Sequence, residues 1–75
     1  MKEFTSFQEW WDNTAKALEI PEEDKAGIGE AMRQELEPTF TAYGSAPFID
    51  NTNPLYQWVK DVVGDVLMRF PSLNT

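Results

Sequence analysis

An all-α domain is what this chain predicts, on three observations. Apolar residues recur at helical spacing in three segments, prolines and capping residues bracket those segments, and the apolar content is concentrated in large rings. Ten of the 75 residues are aromatic. Each such ring removes roughly 150–250 Å² from water, so a few of them build most of a small core. Seventy-five residues make one domain, expected to span 1–75, near the size where a single core barely suffices. Self-association is the other common stabiliser at this size.

The first helix is expected over about 6–19. Ser6-Phe7-Gln8-Glu9 has capping-box spacing, in which the Ser oxygen and the Glu carboxylate satisfy each other's orphan amides. Phe7, Trp10, Trp11, Thr14 and Leu18 then share one face, while Glu9, Asp12, Asn13, Lys16 and Glu19 take the other. Ile20-Pro21 ends it, because a residue before proline is pushed out of the α region.

The second helix is expected over 21–43. Pro21 suits the first helical position, and Glu22, Glu23 and Asp24 complement the positive end of the helix dipole. Ile28, Met32 and Leu36 form its buried stripe. Gly27 and Gly29 interrupt it, which implies either a close helix crossing or frayed first turns. Pro38 is expected to kink or end the helix, with Phe40 and Tyr43 on a short extension that stops at Gly44.

Residues 44–53 read as a loop, with Phe48 and Ile49 tucked beneath the domain. Asn53-Pro54 opens a third helix over 54–70, by the preferred cap followed by proline. Its buried face is Leu55, Trp58, Val59, Val62, Val66 and Phe70, broadened by Val63 and Leu67. A face that wide predicts a central helix covered by both others, or one that meets a second chain. Phe70-Pro71 ends it, and residues 71–75 are expected to form a loose tail.

Composition excludes much chemistry. There is no histidine and no cysteine, so Ser-His-Asp and Cys-His catalysis, zinc sites, redox dithiols and disulfides are all ruled out. Nothing replaces them. The carboxylates fall mostly on predicted exposed helix faces or at a helix start. Asp50, Thr52 and Asp61 lie at part of the spacing of a calcium loop, but Pro54 holds a ligand position and Leu55 stands where the turn needs glycine. Gly27-Ile28-Gly29 lacks the third glycine and the preceding strand of a dinucleotide site. No enzymatic activity, metal or cofactor is expected.

Thirteen acids against six bases leave a net charge of −7. That argues against direct nucleic-acid binding and against an anionic membrane surface, and it favours a basic protein partner. Met1-Lys2-Glu3-Phe4 leads directly into a polar amphipathic segment, so a cytoplasmic location is expected. The expected function is non-enzymatic protein binding, as a small inhibitor or adaptor that engages a basic surface. In size and charge the chain resembles small acidic phage-encoded inhibitors of host defence and transcription, with no motif tying it to a named family. The alternative is a homo-oligomeric assembly protein that self-associates through its third helix.

Three surfaces are candidates for that binding. Glu19, Glu22, Glu23 and Asp24 form the most concentrated charge, although solvation of a helix start also accounts for them. Trp10, Tyr56 and Trp58 lie at the edges of their apolar arcs, as interface anchors do. Gly64 and Met68 occupy the back of the third helix, where glycine permits close approach and methionine adapts to a partner.

Overall fold

A computed structural model describes residues 3–70, which fold as an all-α domain without a strand among them. The helices are α1 (Phe7–Ala17), α2 (Glu22–Tyr43), α3 (Ala46–Ile49) and α4 (Tyr56–Met68). Three of these are the expected helices, and α3 is an addition within the expected loop. The expected tail at 71–75 lies outside the described residues.

Ser6 caps α1 in an extended conformation, its Oγ accepting from the Glu9 N–H at 3.2 Å. The reciprocal half of the capping box is replaced: the Glu9 carboxylate accepts from the Thr5 hydroxyl at 3.0 Å. The helix ends earlier than position 19. Ile20 N–H reaches the Ala15 carbonyl at 3.0 Å and Glu19 N–H the Lys16 carbonyl at 3.2 Å. This Schellman closure puts Glu19 at φ 56°, a left-handed conformation that costs a non-glycine residue about 1–2 kcal/mol.

Of the two outcomes expected at Pro38, ending the helix does not occur: α2 runs from Glu22 to Tyr43 with Pro38 inside it. Proline there forgoes one backbone hydrogen bond. Burial on both sides outweighs that loss, because Met32 and Leu36 are fully buried and Phe40 packs against the core beyond them. Gly44, at φ 73°, ends the helix as expected, donating to the Phe40 carbonyl at 2.7 Å.

The chain then winds into α3, which carries Phe48 into the core. Phe48 meets the Trp10 ring edge-on at 5.0 Å and the Phe40 ring at 5.3 Å, and Phe7 packs 5.3 Å from Trp10. Rings from α1, α2 and α3 thus form one cluster with favourable tilted and edge-to-face geometry. The expectation that Phe48 and Ile49 pin this connection is met.

The last helix begins two residues later than expected. Asn53 caps a turn rather than the helix, its Oδ1 accepting from Leu55 N–H at 2.9 Å while its carbonyl takes Tyr56 N–H. Pro54 stays in that turn, and Leu55 becomes the cap. The central element is α2, which packs against α1, α3 and α4, so the expectation of a central third helix is corrected. A 22-residue helix is long enough to lie under all three neighbours.

Candidate functional site

The acidic corner forms where α1 turns into α2. Glu19, Glu22 and Glu23 are all exposed and carry no ion-pair partner among the described residues, while Asp24 is half-buried. The Schellman turn brings Glu19 within three residues of the α2 start, so three uncompensated carboxylates share one corner.

The edge aromatics separate. Trp10 is only 5% exposed and belongs to the core cluster, so it is not available as an interface anchor at the edge of the apolar arc. The reason is α3: once Phe48 enters, it covers the flank of α1 that would otherwise face water. Trp58, expected on the buried face of the third helix as well as at its edge, is 43% exposed on α4, so its place is the edge and not the core. Tyr56 is half-buried, with the Lys60 ammonium 5.5 Å from its ring centroid.

The back of α4 is open. Met68 is 75% exposed, and a Cβ added at Gly64 would meet nothing within 4 Å. Lys60 and Arg69 balance Asp61 and Asp65 along this segment, so the whole net charge of −7 resides elsewhere in the chain. Arg69 binds Asp65 at 2.7 Å and reaches Glu35 of α2 at 3.7 Å. The Asp65 hydrogen bond is the main reason its guanidinium holds its proton more firmly than usual. Exposed pairs of this kind add little stability.

A fourth feature, missed in the sequence, lies along the seam of α1 and α2. A groove of about 400 Å³ is lined by Gln8, Trp11, Asp12, Lys25, Gly29 and Arg33 among others. A hydrogen-bonded chain crosses it. Arg33 donates to Gln8 Oε1 at 3.2 Å, Gln8 donates to Asp12 Oδ1 at 2.9 Å, and Lys25 pairs with the same Asp12 oxygen at 3.4 Å. Beneath it, the Trp11 indole packs so tightly on Gly29 that a Cβ there would collide with Nε1. The two glycines therefore differ in role: Gly29 permits a close crossing, and Gly27 does not need to. The Gln8–Asp12 pair was legible as an i, i+4 contact, but Lys25 and Arg33 join it only through the helix crossing.

The connection between α3 and α4 holds one more organised carboxylate. Asp50 Oδ1 accepts from the Thr52 hydroxyl at 2.6 Å and from its N–H at 2.9 Å, and these bonds hold its pKa below the ordinary carboxylate range. This closes an Asx turn rather than presenting a ligand site. No group of three or more acidic side chains able to hold a metal ion occurs among the described residues, and no helix there is long and apolar enough to cross a membrane. Comparison with protein-family models, with curated proteins and with solved structures finds no match to this chain.

Proposed function

We propose that this protein is a non-enzymatic binding module, an inhibitor or adaptor, that engages a basic surface on a protein partner through the corner between α1 and α2. The carrying observation is the uncompensated charge there: Glu19, Glu22 and Glu23 are exposed and unpaired among the described residues. Carboxylates so placed draw in a cationic surface from a distance and penalise an anionic one. Glu19 adds a supporting detail. It occupies a left-handed position that glycine would fill at lower conformational cost, and it places a negative charge there instead.

The test is crosslinking at low salt in lysate of the source cell, comparing the native chain with the triple variant Glu19→Lys, Glu22→Lys, Glu23→Lys. Partners joined to the native chain should be lost from the variant and should weaken as salt rises. The same partners captured equally by both proteins would discard this reading.

A second reading, self-association through α4, draws on a different observation. The outer side of that helix is charge-balanced, exposes Trp58 and Met68, and leaves Gly64 open to a close neighbour. Light scattering at micromolar concentration decides it, since a strict monomer removes it.

A further inference from the structure

We infer that the groove between α1 and α2 receives an extended peptide segment bearing Lys or Arg, with a main-chain carbonyl of that segment accepting from the Trp11 indole N–H. This rests on the protein-binding reading above and names the groove that would serve it. Trp11 is 97% buried by its 3% exposure, yet its indole N–H has no hydrogen-bond partner among the described residues. No fully buried side-chain nitrogen or oxygen there lacks a partner, so this N–H is not sealed inside the core. Trp11 and Gly29 line the groove together, with the indole nitrogen packed against Gly29.

Apart from the Glu22 and Glu30 carboxylates, which accept, the unused hydrogen-bonding capacity inside that groove consists of donors. Gln8 spends its oxygen on Arg33 and its nitrogen on Asp12, and Asp12 is further engaged by Lys25. Trp11 N–H and most of the Arg33 guanidinium remain. The occupant must therefore present an acceptor. A free carboxylate is disfavoured, because Glu22 and Glu30 also line the groove, so its acids outnumber its bases, and the chain as a whole carries −7. A neutral peptide carbonyl meets the donors without that repulsion. Basic side chains on the same segment meet Glu22 and Glu30, neither of which has an ion-pair partner among the described residues. Glu22 belongs to the acidic corner as well, so groove and corner form one continuous surface. A shallow, preformed groove with a buried donor in its floor suits an extended segment that offers backbone carbonyls between its side chains.

The experiment is a ¹H–¹⁵N NMR titration of the full chain with a capped peptide of alternating glycine and Arg or Lys, alongside a control with glutamate in the basic positions. The Trp11 indole signal is assigned by its through-space contact with the Gly29 α-protons. It should move downfield and saturate with the basic peptide, and stay still with the acidic one. Glu22→Gln and Glu30→Gln, both on exposed side chains, should each weaken binding about twofold to fivefold. An indole signal that moves with the acidic peptide overturns the inference. A basic peptide that shifts the Glu22 and Glu23 amides while leaving Trp11 still overturns the groove and leaves the corner standing. No shift at millimolar peptide also overturns the groove, and the crosslinking comparison then judges the corner on its own.

Discussion

Gly27 and Gly29 lie two residues apart in α2 and offer a matched pair of substitutions. Replacing either by alanine in a helix gains about 1 kcal/mol, because alanine loses less backbone freedom on folding. At Gly27 nothing opposes this: the new Cβ would sit 3.8 Å from Phe70 Cε2, an ordinary van der Waals contact. Gly27→Ala should therefore stabilise the domain by about 1 kcal/mol. At Gly29 the Cβ collides with Trp11 Nε1 and lies 3.1 Å from both Cδ1 and Cε2. The indole is rigid and held in the core, so it cannot swing aside as a flexible chain end could. Forcing it to shift costs about 1–3 kcal/mol, which cancels or exceeds the propensity gain. The two variants should differ by about that whole amount. In urea, with a slope near 1 kcal/mol per molar for a domain of this size, their midpoints should separate by roughly 1–3 M. Thermal unfolding should separate them as well, by about 4–8 °C for each kcal/mol. Equal stabilisation by both substitutions would show that Trp11 does not lie against Gly29. It would also remove the basis for the peptide groove.

Two further expectations concern the aromatics and pH. Trp10→Ala should cost about 3–5 kcal/mol and bring the domain close to unfolding, whereas Trp58→Ala should cost about 1 kcal/mol or less; thermal melts of the two variants check this. Asp50 has its pKa lowered by the Thr52 hydrogen bonds, so its contribution to stability is present above the ordinary value of 3.8 and is lost as pH falls through the lower folded value. A ¹³C carboxyl titration should show Asp50 below the ordinary range in the native chain and returned towards it in Thr52→Ala.

Much of the fold was legible because helices announce themselves locally. Ser6, the Ile20-Pro21 stop and Gly44 act through backbone geometry that neighbouring residues determine, and each performs its expected role near its expected place. Pro38 does not end its helix, because its local penalty competes with the burial of Met32, Leu36 and Phe40, a sum that depends on what α2 packs against. The displaced start of α4 has a similar origin. Asn53-Pro54 is a valid helix opening, and the Asp50–Thr52 and Asn53–Leu55 hydrogen bonds use the same residues to close turns instead.

The candidate surfaces were legible only in part. Acids at a helix start were visible as a run, and the corner they form follows from a turn that the proline already implied. Spacing alone leaves Trp10 at the edge of its apolar arc, because its neighbour Phe48 arrives from a segment that composition marks as loop. Of the Trp11 groove the residue pattern carries only the i, i+4 spacing of Gln8 and Asp12 and the glycine that permits a close crossing, since its walls come from positions as far apart as Gln8 and Arg33.

By itself, then, the sequence determined the all-α class, the positions of three helices, the chemistry that missing histidine and cysteine rule out, and the net charge. These are properties of residue identity and of spacing within a turn or two. Only the tertiary structure decided that α2 is central, that Trp10 is buried, and that Trp11 and Gly29 line one groove. Those outcomes depend on which helix faces meet and how closely. At Gly29 the absence of a single side chain sets that distance.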